Sequence, residues 1–158
     1  MPTVATALAT ATAGLKGSDS ARLDAELLLG QVLRKPRSWL YAWPEAQLSD
    51  VQALEFATMC ARRSAGEPVA YLTGRKGFWT HELEVGPGVL IPRPETEVLV
   101  EQALACGEQL SGKVADLGTG SGAVALALRQ DHGVGDVWRR GSRRGDRWPV
   151  DHCFQSCD

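Results

Sequence analysis

The sequence contains no asparagine, and its only tyrosines, Tyr41 and Tyr71, both lie in the first half. No site that needs an asparagine amide, or a tyrosine beyond residue 71, can be assembled from it. Long apolar runs are missing too, since nothing approaches the ~20 residues that cross a bilayer. Among the first seventeen residues only Lys16 is positively charged, and no long apolar core follows a basic start. A secretory signal is therefore not expected, and the expected compartment is the cytoplasm. Excess charge is also small: a net charge of −2 creates no global field toward nucleic acid or an anionic membrane, and neither is an expected partner. Cys60, Cys106, Cys153 and Cys157 form no Cys-x-x-Cys pair and imply no disulfide framework. His152 with Cys153 and Cys157 falls short of the ligand set of a zinc site, and no metal is expected.

What is present suits a globular chain, with 44% hydrophobic and 23% charged residues. Its 158 residues allow one ordinary domain, or a small domain and part of another. From Val4 to Leu33 apolar residues recur at helical spacing, with Leu23, Leu27 and Val32 on one side and Asp19 placed to cap the second helix. Ser49 and Gln52 have the form of a capping box, and Val51, Leu54 and Met59 continue a helix that Gly66 and Pro68 end. Residues 1–75 thus read as a small helical bundle. Arg62 and Arg63 read as a solvated helix end, or as a docking point for a partner.

Phe78 and Trp79, then Leu83 and Val85, with polar residues between, suit a short hairpin or linker over 76–90. Pro92-Arg93-Pro94-Glu95-Thr96-Glu97 suits the first turn of a helix, where proline is tolerated and acids meet the positive dipole end. That helix is predicted to run to about Gly107. Val114-Ala115-Asp116-Leu117 reads as a buried strand, Gly118-Thr119-Gly120-Ser121-Gly122 as a loop, and Ala123 to Leu128 as a helix. Strand, glycine loop and helix form the opening unit of a doubly wound α/β domain.

Three glycines within five residues let backbone approach a ligand, and the helix they open offers free amides. A small-molecule cofactor is the natural reading. Gly120-Ser121-Gly122 with Ala125 also satisfies the loose dinucleotide pattern, so nicotinamide, flavin and a purely structural turn stay open on spacing alone. Asp116 favours an ammonium-bearing ligand, because a carboxylate beside the loop repels pyrophosphate. It also suits a plainer role, tying down the loop by hydrogen bonding.

Asp116-Leu117-Gly118-Thr119-Gly120-Ser121-Gly122 resembles the first motif of class I methyltransferases. Leu90-Ile91-Pro92-Arg93-Pro94-Glu95-Thr96-Glu97 resembles the segment typical of release-factor glutamine methyltransferases. Asp24-Ala25-Glu26-Leu27-Leu28-Leu29, and Gly66-Glu67-Pro68-Val69-Ala70-Tyr71-Leu72-Thr73-Gly74 followed by Phe78-Trp79, match that family in order and spacing. The resemblance covers roughly residues 20 to 130. It implies an α/β chain: a helical domain (1–75) that docks a release factor, a hairpin linker (76–90), and the N-terminal part of a Rossmann-like methyltransferase domain (91–130). It further implies S-adenosylmethionine as cofactor, with Asp116, Gly118, Thr119, Gly120, Ser121 and Gly122 at its methionine end and Arg93 and Thr96 near the site. On the residues alone, Arg93 and Thr96 are equally suited to helix capping and surface pairing. The implied reaction methylates the side-chain amide nitrogen of the glutamine in the Gly-Gly-Gln loop of peptide chain release factors, and the implied state is a monomer.

The family's Asn-Pro-Pro-Tyr motif, which orients that amide, has no counterpart here, so no catalytic residue is assigned and the chain is expected to be inactive. After Gln130 the composition changes: residues 131–158 hold no Ala, Leu, Ile or Met, while Arg139, Arg140, Arg143, Arg144 and Arg147 gather among glycines. No helix or strand is expected there, only an aberrant, disordered tail. Class I methyltransferases usually place a ribose-binding acid at the end of the next strand, and Asp131, Asp136 and Asp146 follow no convincing strand. Val98, Leu99, Val114, Leu126 and Leu128 are accordingly expected to lack partners in a half-built sheet. A coding frameshift near residues 130–138 accounts for the change. A genuine short protein is the alternative, with a basic tail stacking Trp138 and Trp148 on RNA or simply solvated. Two other functions compete: a related methyltransferase acting on an adenine amino group, and a non-catalytic module in which residues 1–75 bind a release factor.

Overall fold

Helix α1 (Val4–Gly14) starts where Thr3 and Thr6 cap each other, Thr6 N donating to Thr3 Oγ1 and Thr3 N to Thr6 Oγ1. The computed structural model describes residues 1–106, 114–132, 137–140 and 147–149. They fall into two units, Met1–Gly74 and Arg75–Asp158. In the first, α1 is followed by α2 (Ala21–Leu33), α3 (Arg37–Ala42), α4 (Asp50–Ser64) and α5 (Val69–Thr73). The start of the chain is stitched to the segment before α4: Val4 N donates to Ala46 O, Ala5 N to Pro44 O and Leu48 N to Pro2 O, each at 2.9 Å.

The Ser49–Gln52 capping box forms as expected, with Ser49 N donating to Gln52 Oε1 at 2.9 Å and Gln52 N to Ser49 Oγ at 3.3 Å. Replacing Ser49 with alanine removes the acceptor of one otherwise orphaned amide. Thermal unfolding of the S49A chain is expected to show a loss of about 1 kcal/mol; an unchanged midpoint would mean that packing alone holds α4.

Val4, Leu8, Leu28, Leu29, Leu40, Leu48 and Phe56 form one core between these helices, and full burial of each large side chain contributes about 1.5–3 kcal/mol. Two expectations need correction. Leu23 and Leu27 share a side of α2, but it is the outer one, more than a third exposed, while Ala25, Leu28 and Leu29 turn inward. Asp19 does not cap α2; Ser20 occupies that position without a side-chain cap. The Ser18 and Ser20 hydroxyls instead donate to the carboxylate of Asp24 (2.8 and 2.9 Å).

Two acids of α2 are buried. Glu26, 1% exposed, accepts from Arg22 Nε (2.6 Å), Arg37 Nη2 (2.7 Å) and the Tyr41 hydroxyl (2.7 Å). Burial pushes its carboxyl up, but the hydrogen bonds from Tyr41, Arg37 and Arg22 outweigh that and hold it below the usual carboxylate range. Asp24 behaves alike: burial raises it, and Arg63, Ser18 and Ser20 bring it down further. Arg63 Nε donates to Asp24 Oδ2 at 2.8 Å, so Arg63 is not the solvated residue expected, because a buried carboxylate needs a paired cation. Arg62 pairs with Glu67 at the more exposed end of α4.

In the second unit, β1 (Arg75–Phe78) and β2 (His81–Glu84) form an antiparallel hairpin, with Lys76 opposite Leu83 and Phe78 opposite His81. Phe78, Leu83 and Val85 are buried. Trp79, expected beside Phe78 in an extended stretch, is a turn residue with φ +54°. Then come α6 (Glu95–Ala105), β3 (Val114–Leu117), α7 (Ala123–His132), β4 (Val137–Arg140) and β5 (Arg147–Pro149). β4 runs parallel to β3, and β5 antiparallel to β4.

The two short strands beyond Gln130 correct the expectation that no element forms there. A strand in a parallel ladder is supported by the backbone groups of its neighbour, and local alternation need not announce it. Leu126 and Leu128 also find partners: α6 packs on α7, and both leucines are buried, whereas Val98 and Leu99 remain over half exposed. The side chain of Val114, and His152, Cys153 and Cys157, lie outside the described residues.

Candidate functional site

β3 delivers Asp116 and Leu117 to a turn whose three glycines all take left-handed backbone: Gly118 at φ +81°, Gly120 at +55° and Gly122 at +80°. Residues with a Cβ pay about 1–2 kcal/mol for each such conformation, which explains glycine at alternate positions. Gly122 N donates to Thr119 O at 2.8 Å, and Leu126 N to Gly122 O at 2.9 Å opens the α7 hydrogen-bond ladder. The loop therefore runs without a break into a helix N-terminus, where amides and dipole favour electron-rich groups.

Asp116, at the third position of β3 and half-buried, accepts from Thr119 Oγ1 through Oδ2 at 2.9 Å. Among the described residues, Oδ1 receives no hydrogen bond. The carboxylate is thus anchored by one oxygen and able to accept from a ligand through the other. The loop-tying role and the ligand role proposed from sequence are compatible in one side chain.

Arg93 and Thr96 precede and open α6. Arg93 is exposed and Thr96 half-buried. Thr96 N donates to Arg93 O at 3.0 Å, and no side chain caps the helix, whose N-cap is Pro94. No described hydrogen bond joins either residue to the glycine loop. A contact that sequence reasoning missed lies one residue on: the backbone N–H of Trp79 donates to Glu97 Oε1 at 2.9 Å. Nothing in the local pattern signals it, since an acid in a helix's first turn already suits the dipole.

Burial pushes the Cys60 thiol up to about 11, which keeps it protonated near neutral pH and removes it as a nucleophile. Among the described residues no group of His, Cys, Asp and Glu could hold a metal ion, and no helix is long and apolar enough to cross a membrane.

Residues 6–74 match the PrmC N-terminal domain family. The release factor glutamine methyltransferase of Vibrio cholerae is 49% identical over 131 residues, 82% of this chain and 46% of the relative. Those of Salmonella typhimurium and Coxiella burnetii are 53% and 54% identical over 114 residues each, 72% and 70% of this chain and 41% and 40% of the relatives. Over most of its length the chain is similar to release factor glutamine methyltransferases. It spans less than half the length of these relatives.

Within a release factor glutamine methyltransferase the glycine turn and Asp116 fit the methionine end of S-adenosylmethionine, the cofactor that methyltransferases of this family use. The left-handed glycines leave the backbone open to close approach, and the anchored carboxylate suits an ammonium group. The adenosine side fits less well. A second parallel strand is present, correcting the expectation that it is missing, but its last residue is Arg140, not an acid. Asp136 and Asp146 lie outside the described residues, and Asp131 falls within α7.

Proposed function

We propose that this chain carries the release-factor-docking helices and the methionine half of the cofactor site of a release factor glutamine methyltransferase, without the means to complete methyl transfer. The observation that carries this reading is the conjunction of three left-handed glycines, a Thr119-anchored Asp116 and the opening of α7. Asp116, Gly118, Thr119, Gly120, Ser121 and Gly122 would hold the methionine moiety, with Arg93 and Thr96 near it. Bound S-adenosylmethionine supplies an electrophilic methyl group. Asp116 would take the ammonium group through Oδ1 while Thr119 keeps the carboxylate from rotating.

In the complete enzyme the acceptor is the side-chain amide nitrogen of the glutamine in the release factor's Gly-Gly-Gln loop. An amide nitrogen is a weak nucleophile, and its reaction depends on groups that hold and polarise it. With no asparagine anywhere, this chain cannot supply the Asn-Pro-Pro-Tyr site. The proposed outcome is release factor binding by residues 1–75 without methylation, in the cytoplasm and as a monomer. Domain limits at 75, 90 and 130 follow the same reading, and so does the view that the arginine-rich stretch after Gln130 is not native methyltransferase sequence. The adenine-amino alternative is disfavoured by the match over residues 6–74.

Titration calorimetry of the full chain is expected to show S-adenosylmethionine binding that Asp116→Ala weakens about tenfold, the worth of a hydrogen bond to a charged group. A parallel assay with tritiated methyl donor and a release factor is expected to show capture of the factor but no label on it. Absence of cofactor binding would sink the site assignment, and labelled release factor would sink the claim of inactivity.

A further inference from the structure

The hairpin turn is built in a way that local sequence does not favour. Trp79 sits at φ +54°, a conformation that costs a bulky residue about 1–2 kcal/mol and persists only where surroundings over-determine it. One contact that does so is long-range: the N–H of this strained residue donates to Glu97 Oε1 at 2.9 Å, in a half-buried setting. A carboxylate acceptor makes this bond stronger than an ordinary turn bond. Glu97 lies in the first turn of α6, next to Thr96, so the bond holds the beginning of α6 against the hairpin.

From there a continuous path leads to the glycine loop. α6 packs against α7, with Val100 of α6 and Ala125 and Ala127 of α7 fully buried. α7 begins immediately after Gly122, whose N–H closes the loop on Thr119 O. A packed helix pair thus connects the strained turn with the loop. We propose that Glu97 is a positioning residue: by capturing the Trp79 N–H it fixes α6, and through α6 and α7 it holds the Gly118–Gly122 loop in its ligand-ready geometry. The ligand in question is the S-adenosylmethionine of the proposed function, and to that extent the inference rests on it.

Hydrogen exchange by NMR on the full chain, in the absence of cofactor, tests the coupling. In E97A the Trp79 N–H is expected to exchange about tenfold faster and the Gly122 N–H about threefold faster, while Leu28 and Leu29 amides in the other unit keep their rates. E97Q keeps an acceptor without the charge, so both amides should fall between wild type and E97A. Cofactor affinity is expected to drop about threefold in E97A and to recover partly in E97Q. A freed Trp79 with Gly122 unmoved overturns the proposal, and so does an unmoved Trp79. If E97A does not fold, the same comparison is made on E97Q, where wild-type exchange at Gly122 beside a faster Trp79 is the overturning result. A wild-type chain that fails to bind S-adenosylmethionine defeats the cofactor reading alone, because exchange at Gly122 still decides the role of Glu97.

Discussion

An Arg22→Ala/Arg37→Ala variant is expected to lose about 3–5 kcal/mol of stability in Met1–Gly74, the cost of leaving a buried charge without its partners. Glu26 is 1% exposed, and after the double substitution only the Tyr41 hydroxyl remains of its described donors. The two arginines are about half exposed, so each can return to water when the carboxylate goes; the carboxylate has no such escape. Adding Glu26→Leu to the double variant should therefore restore most of the loss, since an apolar side chain of similar size needs no partner.

The pH dependence gives an independent check with a definite sign. In the wild type the folded carboxyl of Glu26 is held below its unfolded value. Its contribution is complete above the unfolded pKa, near 4.5, and is lost as pH falls through the lower folded value. In the double variant desolvation dominates and the folded pKa rises above the unfolded one. Destabilisation should then be greatest near neutral pH and shrink as acid protonates the group. Urea denaturation followed by circular dichroism from pH 7 to 3 tests this, and parallel profiles for the two proteins would refute it.

A Gly118→Ala/Gly120→Ala variant is expected to bind S-adenosylmethionine about a hundredfold more weakly, from about 1–2 kcal/mol of left-handed strain at each position. The penalty is conformational rather than steric. A Cβ at Gly118 would meet nothing within 4 Å, and one at Gly120 would lie 3.9 Å from the Gly118 carbonyl oxygen, an ordinary contact. Alanine therefore fits the space but not the backbone, and the loop must spend most of its time in another shape. The capping and core of Met1–Gly74 should be untouched, so its unfolding serves as an internal control. Calorimetric affinity equal to wild type would show that the loop does not cradle the cofactor.

Features closed over three or four residues were legible in advance. Ser49 with Gln52 announces a cap because both partners lie within one turn, and the glycines of the loop announce left-handed backbone because little else tolerates it. Leu23 and Leu27 were misplaced because α2 is apolar on several sides, and only the neighbouring helices decide which stripe turns inward. Asp19 looked like a cap because its type is right; the hydroxyls of Ser18 and Ser20 bind Asp24 instead, a preference set by the buried Asp24–Arg63 pair. β4 and the Glu97–Trp79 bond depend on partners far along the chain, and no local period encodes such a partner. For the candidate site, the turn and the loop-tying role of Asp116 could be read from the residues, whereas Thr119 as its partner emerges only from the folded loop.

The backbone hydrogen bonds that join Pro2, Val4 and Ala5 to Leu48, Ala46 and Pro44 bear on the order in which the bundle assembles. α1 obtains these partners only after the intervening chain, with α2 and α3, has looped back, and the entropy of that closure must be met before the bonds repay it. α1 can pack on its neighbour α2, and α2 to α4 on Leu28, Leu29, Leu40 and Phe56, before that loop closes. A ribosome-bound chain would thus leave these hydrogen bonds unmade until the stretch before α4 has emerged.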